Sequence, residues 1–440
     1  MPKKLNFADH GDALLNYQAP RGTNDILPED WPYWRHITAT IERLAGLYGF
    51  EHIDPPAFEV TELFERGAGA GADVMVQKEM YTFEDNGGNS LTLRPEFTAG
   101  IMRAYLEHGM KVKPSPVKLY SMGPIFRQER PQAGRYRQHT QWNVEVLGEI
   151  DPAVDFEVMS IAYSLFAEFG FQNLAFQVNS IGCPNCRPAH IAALIEYFSA
   201  HRSRLNEIDQ RRLEINPLRL LDSKEESVQG LIADAPRSID YLCDECREHF
   251  ATLRGYLDDA GLSYTVNTLL VRGFDYYTKT VFEVWAEGIG AQAAVCGGGR
   301  YDGLIELLGG PPTPGIGFGS GIERQILTLK AQGIVPPPLP APRVQVSYIG
   351  RDEIGRQAKQ AAVSLVSNLR AAGIGAVLPF GDRSLKSQLK SANRADVAYV
   401  VIIGEGELTS GRLTVRDLAG GEQQEVDRSA VVTWLQERLA

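Results

Sequence analysis

The chain has 440 residues, 44% of them hydrophobic and 22% charged, and carries a net charge of −11; that length exceeds what one hydrophobic core usually holds, so two or three domains are expected. The composition excludes a fibre or a disordered chain, and no segment resembles a signal peptide or the uncharged run of a membrane span, so a cytoplasmic protein without a membrane partner is the expectation. The negative total argues against a general polyanion binder, but from Ala341 onward 13 Lys/Arg face 11 Asp/Glu, so that end carries +2 and the remainder −13.

In chain order, Trp34 to Leu47 has the 3.6-residue apolar period of a helix, and Leu91-Thr-Leu-Arg, Val117 to Met122 and Gln141 to Gly148 read as strands with charged ends. Asp155 to Gly170 is again helical. The mixture predicts an α+β domain with an antiparallel sheet over residues 1–333. Residues from about 183 to 261 are helix-rich, heavily charged and bracketed by two Cys-x-x-Cys pairs, and read as a helical insertion. Ile334 to Pro342 is dense in proline, which disfavours helix and withholds donors from a sheet, as in a stiff linker. Beyond it, over residues 343–440, strands (Val344 to Ile349, Gly373 to Phe380, Val397 to Gly404, Arg412 to Leu418) alternate with helices (Ile354 to Ala372, Ser384 to Arg394, Arg428 to Leu439). That order predicts a C-terminal α/β domain with a largely parallel sheet.

Four stretches carry chemistry. Phe126-Arg-Gln-Glu-Arg-Pro-Gln-Ala-Gly-Arg-Tyr-Arg sets Arg127, Arg130, Arg135 and Arg137 on a turn-containing loop between two strands. Guanidinium forks that never deprotonate suit phosphate; read plainly, the same loop is a solvated basic hairpin. Leu270-Val-Arg-Gly-Phe-Asp-Tyr-Tyr-Thr puts a cation, an anion and two phenols, Arg272, Asp275, Tyr276 and Tyr277, at a strand start. Cys296-Gly-Gly-Gly-Arg-Tyr-Asp-Gly and Gly315-Ile-Gly-Phe-Gly-Ser-Gly-Ile-Glu-Arg let backbone approach a ligand closely, and the second runs into a helix; neither fits a phosphate-loop or dinucleotide pattern. Cys183-Pro-Asn-Cys and Cys243-Asp-Glu-Cys, separated by 56 residues, have room to bring Cys183, Cys186, Cys243 and Cys246 to one tetrahedral zinc. Structural zinc and reduced, unmetallated thiols both remain open for them.

Phe126-Arg-Gln-Glu with Arg135-Tyr-Arg-Gln resembles motif 2 of the class II aminoacyl-tRNA synthetases, the segment ending in Glu323-Arg324 resembles motif 3, and Ile53-Asp-Pro-Pro resembles motif 1, which builds the homodimer interface. Leu270 to Thr278 and Gly297-Gly-Gly-Arg-Tyr-Asp-Gly-Leu resemble the two histidine-specific signatures, and Pro20-Arg-Gly-Thr-Asn-Asp resembles the opening of histidyl-tRNA synthetases. The resemblance runs from Pro20 to the carboxyl terminus. It implies ATP-dependent joining of L-histidine to tRNA(His) through a histidyl adenylate, with Mg²⁺ accompanying ATP. It assigns Arg127, Glu129 and Arg324 to ATP, Arg127 and Arg272 to catalysis, and Glu96, Thr98, Gln141, Glu145, Arg272, Tyr276 and Tyr277 to histidine. Gln132, Arg135 and Arg137 would meet the tRNA acceptor end. The last domain resembles an anticodon-binding domain, in which Lys386, Lys390 and Arg394, four residues apart on one predicted helix, make a basic stripe. That stripe is otherwise a solvated helix face. One departure stands out: Phe97 occupies the place where the family has glycine, and it either narrows the pocket or packs away from it. The alternative function is a histidine-sensing regulatory subunit of ATP phosphoribosyltransferase, which keeps the fold, charges no tRNA and usually lacks the last domain.

Overall fold

The computed structural model describes residues 17–68, 79–128, 134–223, 225–273, 276–286, 294–381 and 383–439. Contacts divide the chain into two compact units, and the break between Pro337 and Pro338 falls within the proline-dense stretch.

The first unit is built on an eight-stranded sheet. Its strands in chain order are β1 (Glu51–His52), then, after a separate three-stranded sheet of β2 (Phe58–Val60), β3 (Tyr81–Glu84) and β4 (Ser90–Leu93), β5 (Val117–Phe126), β6 (Gln138–Leu147), β7 (Ala175–Ser180), β8 (Tyr264–Val266), β9 (Thr278–Trp285), β10 (Ala294–Arg300) and β11 (Gly315–Gly321). The spatial order is β1-β5-β6-β11-β10-β9-β7-β8, antiparallel throughout the interior and parallel only at the two edge pairs, β1 with β5 and β7 with β8. The helix Trp31–Tyr48 forms because apolar residues recur every three or four positions and proline sits in its first turn, and it ends at Gly49, whose φ of 75° suits glycine. The helix Pro152–Glu168 starts where the Asp151 carboxylate accepts the Ala153 N–H at 2.8 Å.

Successive strand residues face opposite sides of a sheet, and this alternation divides β6 cleanly. Trp142, Val144 and Val146 are buried in the main core with Ile37 and Ile41 of the first helix and Val158 and Leu165 of the second. Gln141, Asn143 and Glu145 therefore point to the other face. Residues 183–261 contribute to two cores. Leu194, Phe198, Leu213, Leu220 and Leu231 form a core of their own, whereas Phe250, Leu253 and Leu257 of the helix Asp244–Asp259 pack into the main core.

In the second unit β12 (Val344–Tyr348), β13 (Ala376–Val377), β14 (Tyr399–Ile403), β15 (Arg412–Asp417) and β16 (Gln423–Asp427) take the order β13-β12-β14-β15-β16. The sheet is mixed rather than largely parallel: β12 pairs in parallel with β13 and β14, but β15 is antiparallel to both β14 and β16. The overlooked β16, Gln-Gln-Glu-Val-Asp, is a polar edge strand with only Val426 buried, so it has no apolar alternation to read. Among the described residues no helix is long and apolar enough to cross a membrane.

Candidate active site

The glycine-rich stretches lie largely in adjacent central strands. Gly297, Gly298 and Gly299 of β10 lie opposite Gly319, Phe318 and Gly317 of β11. On its other side β11 sets Gly317, Gly319 and Gly321 opposite Glu145, Asn143 and Gln141 of β6. A Cβ at Gly317 would land on the Glu145 carboxylate, and one at Gly319 on the Gln141 amide. A Cβ at Gly297 would lie 2.5 Å from Nη1 of Arg272 and 2.8 Å from its Cζ. Glycine there leaves polar side chains lying flat on the sheet.

Two cavities share this floor. The first, about 290 Å³, is lined by Arg127, Arg135, Arg272 and Arg324, with Tyr136, His139, Glu283 and Glu323 among the other walls. The second, about 430 Å³, is lined by Glu96, Thr98, Gln141, Asn143, Tyr276, Tyr277 and Tyr301, and has Arg127, Arg272, Glu283, Gly297 and Gly319 in common with the first. A cationic chamber thus opens into a polar, phenol-lined one, and Arg127 and Arg272 stand at the junction.

Each charge at the junction is held from behind. Arg127 donates through Nε to the Pro95 carbonyl at 2.8 Å. Arg272 donates through Nη1 to Glu283 Oε1 at 2.7 Å, and Trp285 Nε1 donates to the other oxygen of Glu283 at 2.9 Å. Among the described residues the buried Nε of Arg272 has no hydrogen-bond partner. Arg324 donates through Nη1 to the Ala294 carbonyl at 2.8 Å. Beside it burial pushes the Glu323 carboxyl up to about 7, although the Thr140 N–H donates to it at 2.8 Å. Burial, and then the positive field of Arg127 and Arg324, push His139 down to about 4, so its ring is neutral at physiological pH.

In the second chamber Glu96 accepts the N–H groups of Thr98 and Ala99 at the start of the helix Thr98–Glu107, the Ala99 contact being 3.0 Å; burial raises its pKa. Glu145 lies under the floor. It accepts from Thr98 Oγ1 at 2.6 Å, from Asn143 Nδ2 at 2.5 Å and from the Tyr301 hydroxyl. Those donors favour the carboxylate, but burial outweighs them and lifts the group from its ordinary 4.5 to about 8. Tyr301 is fixed in turn by its neighbour Arg300, which is fully buried and donates to Asp155 Oδ1 at 2.6 Å.

Phe97 packs away from the chamber. It is fully buried among Ile101, Met102, Leu119 and Ile125, with the Arg94 guanidinium 4.2 Å over its ring. Of the residues assigned to the tRNA end, Arg135 lines the cationic chamber, and the backbone N–H of Arg137 donates to the Gly22 carbonyl at 2.7 Å. Glu129, Gln132, Arg130 and Asp275 lie outside the described residues. In the second unit Lys386, Lys390 and Arg394 are exposed on the helix Leu385–Arg394. Sequence reasoning missed the insertion's contribution, since Arg219, Leu221 and Asp222 wall the second chamber. Their signal was Asn216-Pro-Leu-Arg-Leu-Leu-Asp, a proline-started turn carrying charge between helices. Asn143, Tyr301 and His139 were missed as well.

The cysteine pairs come together. All four sulfurs lie within 4.8 Å of one another, and the separations are 3.7 Å for Cys183 to Cys186, 3.9 Å for Cys183 to Cys243 and 3.9 Å for Cys186 to Cys246. Zinc–sulfur bonds of about 2.3 Å in a tetrahedron put sulfurs about 3.8 Å apart, so the donor set fits zinc. The Cys183 N–H also points at Cys186 Sγ, 3.2 Å away.

A glycine-floored antiparallel sheet, arginines on the motif 2 and motif 3 positions and a polar side chamber define a class II aminoacyl-tRNA synthetase. A family model described as histidyl-tRNA synthetase matches residues 22–324 and one for an anticodon-binding domain matches 343–438. The chain is 48% identical to a histidine–tRNA ligase of Dehalococcoides mccartyi, over 96% of its own length and 100% of the relative's. It is 49% identical to one of Pelotomaculum thermopropionicum, over 96% and 97%. The crystal structure of apo S. aureus histidyl-tRNA synthetase superposes with a TM-score of 0.79 at 36% identity, covering 95% of this chain and 99% of that one. The chain belongs to the histidyl-tRNA synthetase family.

Proposed function

We propose that this enzyme activates L-histidine with ATP and transfers it to tRNA(His), releasing AMP and diphosphate, and that the two joined chambers divide the work. The observation that carries the reading is their junction, where Arg127 and Arg272 line both a cationic and a phenol-lined cavity. In the cationic chamber Arg127 grips the α-phosphate, Arg324 the γ-phosphate, and Arg135 adds a third fork to the same phosphates. Glu129 is assigned to the adenine end by the family resemblance alone. Mg²⁺ enters with ATP and screens phosphate charge; Glu323 is a carboxylate of the hard-oxygen type that would hold it.

Histidine enters the second chamber. Glu96, Thr98, Gln141, Tyr276 and Tyr277 meet its ammonium and ring, and Glu145 acts from below through Thr98 and Tyr301. Buried polar groups that a wrong side chain would leave unpaired give strong rejection. The histidine carboxylate attacks the α-phosphorus, pyrophosphate leaves, and Arg272 stabilises the charge that develops. The terminal ribose hydroxyl of tRNA then attacks the adenylate carbonyl and AMP leaves. Gln132 and Arg137 meet the acceptor end, and Lys386, Lys390 and Arg394 meet the anticodon stem-loop. The catalytic unit spans 1–333 and the anticodon unit 343–440. The working form is a cytoplasmic homodimer, and Cys183, Cys186, Cys243 and Cys246 hold a structural zinc ion, which supplies a crosslink and no chemistry. A regulatory histidine sensor has less behind it, since this chain retains the last domain and Arg272. Amino-acid-dependent exchange of pyrophosphate into ATP tests the assignment. Histidine should support it and proline, threonine and glycine should not; exchange with one of those three and none with histidine would overturn it.

A further inference from the structure

We infer that the four-cysteine site tunes the histidine chamber: with zinc bound, its two turns clamp the Tyr277–Lys279 backbone, so metal occupancy sets the affinity for histidine. The inference rests on the zinc reading above. Each cysteine pair sends one charged residue to the same short segment. Arg187, which directly follows Cys186, donates to the Gly182 carbonyl at 3.2 Å and to the carbonyl of Tyr277. Glu245, between Cys243 and Cys246, accepts from Lys279 Nζ at 2.7 Å. The backbone repeats the link, because the Ile181 N–H donates to the Lys279 carbonyl and the Lys279 N–H to the Gly182 carbonyl, both at 2.9 Å.

Lys279 needs such restraint. Its φ is 49°, left-handed for a residue with a side chain, a conformation that persists only where the surroundings over-determine it. Tyr277 and Tyr276, whose ring centroids are 4.7 Å apart, line the histidine chamber just before it. Without an ion, four thiols share no common ligand, and the turn at Cys183 can part from the helix that begins at Asp244. The Tyr277 carbonyl would move with Arg187 and the phenols with the carbonyl. Arg127 and Arg324 are carried by other elements and take no part. Arg187 and Glu245 are therefore positioning residues for histidine and not for ATP.

The test uses the full chain. Protein purified without chelator is assayed for zinc, stripped with chelator and reloaded with zinc alone. Histidine affinity is measured by calorimetry at each stage, and KM for histidine, KM for ATP and kcat by pyrophosphate exchange. One zinc per chain is expected, with histidine affinity and KM worsening roughly tenfold or more on stripping, KM for ATP unchanged, and reversal on reloading. Arg187→Gln and Glu245→Gln keep all four thiols. They should retain zinc yet weaken histidine binding, with Arg187→Lys recovering part of it. If the protein neither contains nor takes up zinc, or holds disulfides instead, the zinc reading fails and the inference with it. Bound zinc with histidine affinity unchanged on stripping overturns the inference alone. Should stripping unfold the chain, the two glutamine variants decide: unaltered histidine affinity with zinc in place overturns the clamp.

Discussion

Arg272→Ala should abolish most adenylate formation while leaving the fold intact. A cation about 4 Å from the charge developing at phosphorus, at an effective dielectric of about 20, interacts by about 4 kcal/mol. Losing one preorganised donor of this kind costs about 10²- to 10³-fold in kcat. The stability cost is smaller. The Arg272 side chain is 22% exposed and its partner Glu283 20%, and Glu283 keeps its bond from Trp285, so breaking the pair costs on the order of 1 kcal/mol. Arg272→Lys keeps the charge but loses the fork that spans Glu283 and the chamber, and should fall between the two. Histidine-dependent pyrophosphate exchange gives the rate and thermal melting gives the fold. Exchange within a few fold of the unsubstituted enzyme, or a loss matched by collapse of the melting transition, would refute the division between chemistry and packing at this residue.

Phe97→Ala should do the opposite, costing about 3–5 kcal/mol of stability with KM for histidine near normal, because the ring fills core and not chamber; a large KM change with unchanged melting would count against it. Glu145 has a folded pKa raised to about 8 from 4.5, so its folded state holds a proton the unfolded chain releases. Its contribution is present below pH 4.5 and is lost as pH rises toward and through 8. Glu145→Gln should therefore flatten the melting temperature between pH 5 and 8 in the absence of histidine, and an unchanged pH profile would contradict the buried neutral carboxyl. Replacing Lys386, Lys390 and Arg394 together by alanine should weaken tRNA binding and lower the slope of log affinity against log salt by about 2 units, with pyrophosphate exchange untouched. Filter binding across a salt series reads both, and an unaltered slope would leave the stripe a solvated helix face.

The legible parts of the sequence were those governed by local period. The alternation in Gln138–Leu147 separates Trp142, Val144 and Val146 from Gln141, Asn143 and Glu145, which puts the missed Asn143 on the same face as the expected Gln141 and Glu145. The cysteine spacing proposed a cluster that the fold assembles. Other features depended on partners far away in the chain. The direction of Phe97 follows from Arg94, which is itself held by the carbonyls of Pro55 and Pro124. The neutral His139 follows first from its burial and then from two arginines, Arg127 and Arg324, brought from the residue after β5 and from the helix after β11. Arg219 reaches the histidine chamber only because the insertion folds back to donate to the Gly273 carbonyl. In the second unit, β16 escaped notice because an exposed polar edge strand has little buried surface to impose a pattern.

The most direct test of the central claim is end-point charging of tRNA(His) with labelled histidine in the presence of ATP and Mg²⁺. The account predicts ATP-dependent accumulation of histidyl-tRNA approaching one histidine per acceptor, lost in Arg272→Ala. Histidine binding with no charging of tRNA(His) would contradict it and turn the chain into a sensor.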